Sequence, residues 1–201
     1  MRDIIILGAG GHAKACIDVL ESENKFNIVG LVDSSSTHNE VLGIPIIGND
    51  DDLGKIFDNI KNAIIGIGQI KSPELRVKLY KKLIDIGFSL PVIKSPRAYV
   101  SGSSEIGKGS IIMHDVIVNS SSNIGKNCIL NNKALIEHDV SVGNNTHIAT
   151  GAIINGGVKV GENCFIGSGA VIKQMVSICD NSVIGAGVVL KRSIKSSKII
   201  I

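Results

Sequence analysis

The sequence predicts an α/β domain followed by an all-β parallel β-helix, and two patterns carry that prediction. From Val100 to Leu190 every sixth residue is Val, Ile or Leu, sixteen times without a slip, through Ile106, Ile112, Val118 and onward to Ile178 and Ile184. Two positions earlier the side chain is small or β-branched, as at Ser104, Ser110, Cys128, Ala134, Thr146 and Ala170. A period of six suits neither a lone helix nor an alternating strand. It marks a stacked solenoid, whose units bury their apolar side chains only against one another. Three short strands make one coil, so residues eighteen apart stack at the inter-strand spacing of roughly 4.8 Å. The second pattern is N-terminal: a buried strand, a glycine turn, a helix and a second strand follow in order before residue 95.

At 201 residues the chain has room for two modest domains, 1–95 and 96–201. Aromatic residues are 3% of the chain and Trp is absent, which suits a narrow core of branched aliphatics. Net charge is +3 with no basic run in the body, so nucleic acid is not an obvious partner. Met1 to Gly8 is too short and too acidic for a signal-peptide core, and no apolar run approaches a bilayer crossing. The expectation is a cytoplasmic protein with no membrane insertion. Cys16, Cys128, Cys164 and Cys179 form no CxxC pair. Cys128 and Cys164 share a hexad position two coils apart, about 9–10 Å, beyond the roughly 7 Å Cα limit for a disulfide. Both read as small core residues.

Residues 4–8 read as a buried strand, Gly8-Ala9-Gly10-Gly11-His12 as a turn, and the residues to Ser22 as an amphipathic helix. A second strand, Asn27 to Val32, ends in Asp33. This is the Rossmann half-unit: glycines let the backbone approach a phosphate at the helix N-terminus, and the acid reaches a ribose hydroxyl. Ala13 replaces the third glycine, which that pattern tolerates. A tight turn that merely packs well is the competing reading. A polar helix start follows at Asp50-Asp51-Asp52, then a strand from Ala63 to Ile67 and a helix from Ser72 or Pro73 to Ile86. Gly66 and Gly68 close that strand on the same carboxyl edge as the first glycine turn, where ligands bind, although a plain turn explains them as well. The domain is too small for two mononucleotide units, so one nucleotide is expected. Lys94 to Arg97 reads as the linker.

Within the hexads the residues to weigh are His114, Asn131, Glu137, His138, Asp139 and His147. His138 and Asp139 fall where a coil turns a corner and side chains leave the core. An imidazole beside a carboxylate is a general base, the acid fixing the tautomer and stabilising the imidazolium. Eighteen residues on lies Gly156, whose amide would sit above the ring and donate to an oxyanion. A solvated corner histidine is the plainer alternative. His147 is half a coil from His138, on another face, so the two would meet only across a subunit interface. His114 reads as structural. Zinc hydratases of the gamma carbonic anhydrase type pair histidines five and 36 residues apart, and the separations 24, 9 and 33 among His114, His138 and His147 match neither. No metal site is expected.

With these motifs in place, the chain resembles the bacterial sialic acid O-acetyltransferase and UDP-4-amino-sugar N-acetyltransferase family of hexapeptide-repeat acyltransferases. The likeness spans nearly the whole chain. Its most specific parts are Gly8 to His12, Leu135 to Asp139, Thr146-His147-Ile148, Gly167-Ser168-Gly169-Ala170 and Gly185-Ala186-Gly187. The resemblance implies an α/β N-terminal Rossmann-like domain followed by an all-β left-handed parallel β-helix, assembled as a homotrimer. It also implies that acetyl-CoA lies between adjacent solenoids and that a nucleotide sugar is held by the first domain. On the same basis His138 is the base and Asp139 its orienting acid, while Gly156 supplies the oxyanion amide. Asn131 lies near the acceptor sugar, and Gly8, Gly10, Gly11, His12 and Asp33 contact a uridine nucleotide. His147, Gly167, Ser168, Gly185, Ala186 and Gly187 lie along acetyl-CoA. The chain departs from the family in lacking a C-terminal Gly-x-Pro-Ala turn; Lys191, Arg192 and Lys195 either contact CoA phosphates instead or form a solvated tail.

The activity expected is acetyl transfer from acetyl-CoA to the amine of a nucleotide-linked sugar, by direct attack in a ternary complex. Two alternatives stand beside it. An O-acetyltransferase for sialic acid or a related nonulosonate would bind no UDP-sugar, and a non-catalytic scaffold or sugar-nucleotide sensor would cleave no thioester.

Overall fold

The computed structural model describes residues 1–70 and 72–201. The first half is a five-stranded sheet built from β1 (Arg2–Leu7), β2 (Phe26–Val32), β3 (Glu40–Val41), β4 (Ile44–Gly48) and β5 (Asn62–Ile65), in the order β3-β4-β2-β1-β5. All neighbours are parallel except the β3–β4 pair. Helices α1 (Gly11–Glu23), α2 (Leu53–Asn59) and α3 (Glu74–Ile86) cover it. Strand β1 is apolar on both sides because both its faces are covered. Ile4 and Ile6 pack toward α1, whereas Ile5 and Leu7 pack with Leu53, Leu79 and Leu83 of α2 and α3. Helix α1 starts one residue after Gly10 with no side-chain cap and ends at Asn24 in a left-handed conformation.

The second half is a left-handed β-helix of two-residue strands. Ile117 pairs with Leu135 and Leu135 with Ile153, the eighteen-residue offset of a three-sided coil. From Ile112 to Leu190 every hexad aliphatic is buried. The outward residue of each strand gives the three sheets different characters. One carries Ile111, Ile129 and His147, all buried beneath the N-terminal domain. The second carries Tyr99, Ile117, Leu135, Ile153, Val171 and Val189, an apolar column along the whole solenoid. The third carries Glu105, Asn123, Ser141, Lys159 and Ser177, polar and exposed.

Two boundaries lie elsewhere than the hexads suggest. Ile93–Lys94 already pairs with Ile111–Ile112, so coil stacking begins inside the stretch expected to link the domains. The C-terminal tail is not a free strand of lysines. Ile194 bridges to Ile178, and Ile199–Ile200 pairs with Val183–Ile184, so the tail re-enters the stack at an offset of sixteen and closes the last coil. The shorter offset breaks the hexad signal while the pairing continues. Cys128 and Cys164 are buried free thiols, as their hexad position requires. Among the described residues no helix is long and apolar enough to cross a membrane.

Glycines tighten the stack where coils meet. A Cβ on Gly143 would lie 2.6 Å from the backbone of Gly161 and Glu162. Gly143→Ala should therefore force the coils apart and lower stability by about 1–3 kcal/mol. At Gly102 a Cβ meets nothing within 4 Å, so Gly102→Ala should stay within about 0.5 kcal/mol of the parent. Urea denaturation of the two variants measures the difference.

Candidate active site

His138 sits on the corner that leads from the apolar sheet to the polar one, and its side chain is 62% exposed. The next residue, Asp139, has φ 60°, a conformation that Asp tolerates better than most residues. That backbone turns its carboxylate onto the ring: Oδ2 lies 2.7 Å from Nδ1. Nδ1–H therefore donates to Asp139, and Nε2 keeps its lone pair for a proton. The hydrogen bond that Asp139 accepts raises the His138 pKa above its ordinary value; desolvation opposes it, and the charges of Asp139 and Glu137 add to the rise.

The strand register carries residue 138 directly to residue 156, and the Gly157 N–H donates to the His138 carbonyl at 2.9 Å. A Cβ on Gly156 would fall 2.8 Å from both Cε1 and Nε2 of His138, so the imidazole occupies the space a side chain would fill. Among the described residues the Gly156 N–H has no acceptor. At the matching turn position of other corners the amides of His114, Lys126 and Glu162 donate to the side chains of Asn132, Asn144 and Asp180, whereas at Gly156 the amide is bare beside an imidazole. These groups, with Lys159, Gln174 and Met175, line an open cavity of about 470 Å³. Ser168 and Ala186 are exposed at the other edge of the apolar sheet, on the corner that enters it. Gly167 and Gly185 have a packing reason, because a Cβ on Gly167 would lie 2.6 Å from the Gly185 carbonyl carbon. Gly187 is held at φ 70° with open space around it.

A second cavity, of about 210 Å³, lies at the carboxyl ends of β1 and β2. Gly8, Asp33, Ser35 and Asp50 line it together with apolar side chains that include Ile67 and Leu75. Asp33 is partly engaged: Oδ2 accepts from the Ala9 N–H at 2.7 Å and Oδ1 from the Ser35 N–H and hydroxyl. Burial raises its pKa, but the bonds from Ser35, Ala9 and Ser36 outweigh burial and leave it lowered. The turn glycines divide by role. Cβ atoms on Gly8 and Gly66 would strike Ile67 at 2.7 Å and Ile6 at 2.6 Å, so these two are needed for packing. Gly10 and Gly11 face open space and leave the N-terminus of α1 accessible. Gly68 lies near the His12 ring, away from either cavity.

His12 and His147, expected at the nucleotide and at CoA, both lie between the domains of the single chain. His147 is 6% exposed. Its Nδ1–H donates to the Gln69 carbonyl at 2.6 Å, and Asn131 Nδ2 approaches its Nε2 at 3.4 Å. Burial, with the Arg76 charge nearby, pushes its pKa down to about 4 and that of His12 down to about 3. Neither ring reaches His138, because the sheet that carries His147 is covered by the N-terminal domain of its own chain. Asn131 is held in this same cluster. Arg76, which no sequence motif singled out, is 1% exposed and donates to the carbonyls of Ile65, Ile67 and Asn127, joining β5, its following loop and the solenoid. A helical Arg three residues past Pro73 carries no pattern that marks it for this task. His114 links the domains too: Ser95 Oγ is 2.7 Å from its Nδ1 and Asp18 Oδ2 is 2.8 Å from its Nε2. Ser95 is fully buried, so this Ser-His-Asp chain is structural.

An imidazole beside an amide without an acceptor is an arrangement that acyl transfer can use, and the solenoid that holds it places the chain among β-helical acyltransferases. Residues 3–83 match the PglD N-terminal domain, residues 139–174 the bacterial transferase hexapeptide of six repeats, and residues 157–192 the hexapeptide repeat of succinyl-transferase. The crystal structure of PerB from Caulobacter crescentus, in complex with CoA and GDP-perosamine, is 34% identical with TM-score 0.91, covering 99% of this chain and 94% of that one. The acetyltransferase domain of PglB from Neisseria gonorrhoeae, in complex with acetyl coenzyme A, is 29% identical with TM-score 0.90, covering 96% and 92%. No curated protein sequence matches the chain. The chain belongs to the hexapeptide-repeat sugar acetyltransferase family, the one its motifs resemble.

The electrostatics separate the three histidines in solution. In an NMR titration, His138 should titrate above 6.5 whereas His147 and His12 stay neutral until the pH approaches about 4 and about 3. Asp139→Asn should bring the His138 midpoint down, because the acceptor that stabilises the imidazolium loses its charge.

Proposed function

We propose that the protein transfers the acetyl group of acetyl-CoA to the amino group of a nucleoside-diphosphate-linked sugar, with His138 as general base. The observation that carries this reading is the stacking of Gly156 on the His138 ring. The sugar nitrogen attacks the thioester carbonyl carbon and forms the C–N bond, and Nε2 of His138 takes the proton that the nitrogen sheds. The negative charge on the carbonyl oxygen is held by the Gly156 N–H. Collapse breaks the C–S bond, and the proton on His138 passes to the CoA thiolate. Asp139 holds the imidazolium in place throughout. Among the described residues no cysteine lines the His138 cavity, which favours direct transfer over an acyl-enzyme.

The nucleotide belongs in the cavity beside Asp33 and Gly8, with its phosphates toward the bare Gly10 and Gly11 amides. Uracil is the base implied by the family resemblance; the GDP-perosamine complex of PerB supports guanine as a second reading. Acetyl-CoA runs across the apolar sheet, from Ser168 and Ala186 toward His138. The exposed part of that sheet, Tyr99 at 59%, Ile117 at 41% and Val189 at 56%, supports burial against a second copy of the chain in a homotrimer. Lys173 and Lys191 line an opening of about 490 Å³ on this sheet and are the cations nearest the path for CoA phosphates. Acetyl-CoA and nucleotide sugars are made in the cytoplasm, which supports a cytoplasmic site for the reaction.

A thioester-consumption assay over UDP-, GDP- and CMP-linked amino and hydroxy sugars tests the assignment. Turnover with an amino sugar is expected; turnover with hydroxy sugars alone would assign O-acetylation. His138→Ala should lower kcat by about 10²–10⁴, and a loss under about tenfold would remove His138 as the base. Because the base acts unprotonated, kcat/KM should fall as pH drops through the raised His138 pKa, and Asp139→Asn should move that limb to lower pH.

A further inference from the structure

Each corner from Gly109 to Gly187 turns through a residue with positive φ, and these residues stack into three columns. One column is Asn127, Asn145, Asn163 and Asn181, joined by side-chain amide bonds of 2.9, 3.1 and 3.2 Å. A second column holds glycines in its upper coils, at Gly151, Gly169 and Gly187. Asn and Gly are the residues that take the left-handed conformation at least cost. The third column runs Ser121, Asp139, Gly157 and then Met175, a long unbranched side chain held at φ 61°. Met175 makes no use of this position for burial, since it is 75% exposed. Its sulfur lies where a Gly157 side chain would begin: a Cβ there would be 2.4 Å from Sδ. Strain of this kind at an exposed apolar residue points to function.

Met175 is also the one uncharged, wholly apolar side chain lining the His138 cavity. We propose that it sets acyl-donor specificity, closing the space beyond the acetyl methyl so that longer acyl groups are refused. This inference rests on the acetylation reading above. With the nucleophile on His138 Nε2 and the carbonyl oxygen on the Gly156 N–H, the acyl carbon lies at this corner. The thioether folded over Gly157 stands one residue further along the chain and one coil up. An added methylene or two must displace it. Its flexible, unbranched chain fills the gap left by Gly157 without a fixed rotamer.

The test compares kcat/KM for butyryl-CoA and acetyl-CoA with one amino-sugar acceptor, in the parent, Met175→Gly and Met175→Leu. Glycine suits the left-handed backbone, so Met175→Gly keeps the fold. Its butyryl-to-acetyl ratio should rise about tenfold or more, the scale at which a pocket discriminates methylenes. Met175→Leu keeps an apolar wall and should leave the ratio within about threefold of the parent. An active parent whose ratio is unchanged by Met175→Gly overturns the role of Met175 alone. A parent with no turnover on any amino sugar overturns the acetylation reading together with it.

Discussion

Backbone pairing at an offset of eighteen residues is the constraint on which the rest of this structure depends. Each coil hydrogen-bonds to the next, so a residue's vertical neighbours are set by arithmetic. Inside, the offset stacks aliphatics into columns that exclude water along the whole solenoid. Outside, it gathers unrelated positions into functional neighbours. It brings Gly156 onto His138, chains four asparagines along one corner, and lines up six apolar side chains on one sheet.

The N-terminal domain uses that rigid column as a dock. Helix α1 lies between its own sheet and the solenoid, and its buried residues Cys16, Ile17 and Leu20 share one core with Ile93, Ile111 and Ile129. Polar contacts then fix the orientation. Arg76 ties the loop after β5 to the Asn127 carbonyl, and the same loop reaches the solenoid again through Gln69, whose amide donates to the Cys164 carbonyl. Ile67 in that loop also lines the cavity beside Asp33. The contacts that join the domains therefore also hold one wall of that cavity at a set position relative to the solenoid. Burial keeps His12 and His147 neutral there, which avoids further positive charge beside a guanidinium that has no carboxylate partner among the described residues.

The solenoid was legible because its signal is periodic: hexads predict strands, inward columns and vertical neighbours, and so predict that Gly156 meets His138. The N-terminal domain was legible from local order, a strand, glycine turn, helix and acid. Contacts between domains have no period and no local motif, so the sequence could not show that Gln69 meets His147 or that Arg76 reaches Asn127. His147 was therefore expected in a subunit groove, while the fold uses its sheet as the dock for α1 and the loop after β5. The closure of the last coil by the tail has no signal for a related reason: Ile194, Ile199 and Ile200 stack at sixteen, outside the period that makes the other coils visible.

The central claim is that the Gly156 backbone and the His138 ring form one catalytic unit. A methyl group at Gly156 tests it, because that Cβ would sit 2.8 Å from Nε2 without removing either the base or the amide. Steady-state kinetics of Gly156→Ala, with the fold checked by circular dichroism, is the measurement. The account predicts an intact β-helix with kcat reduced on the order of a hundredfold, the scale at which an ångström of misplacement disables a site. A folded variant that keeps kcat within about twofold of the parent would contradict it.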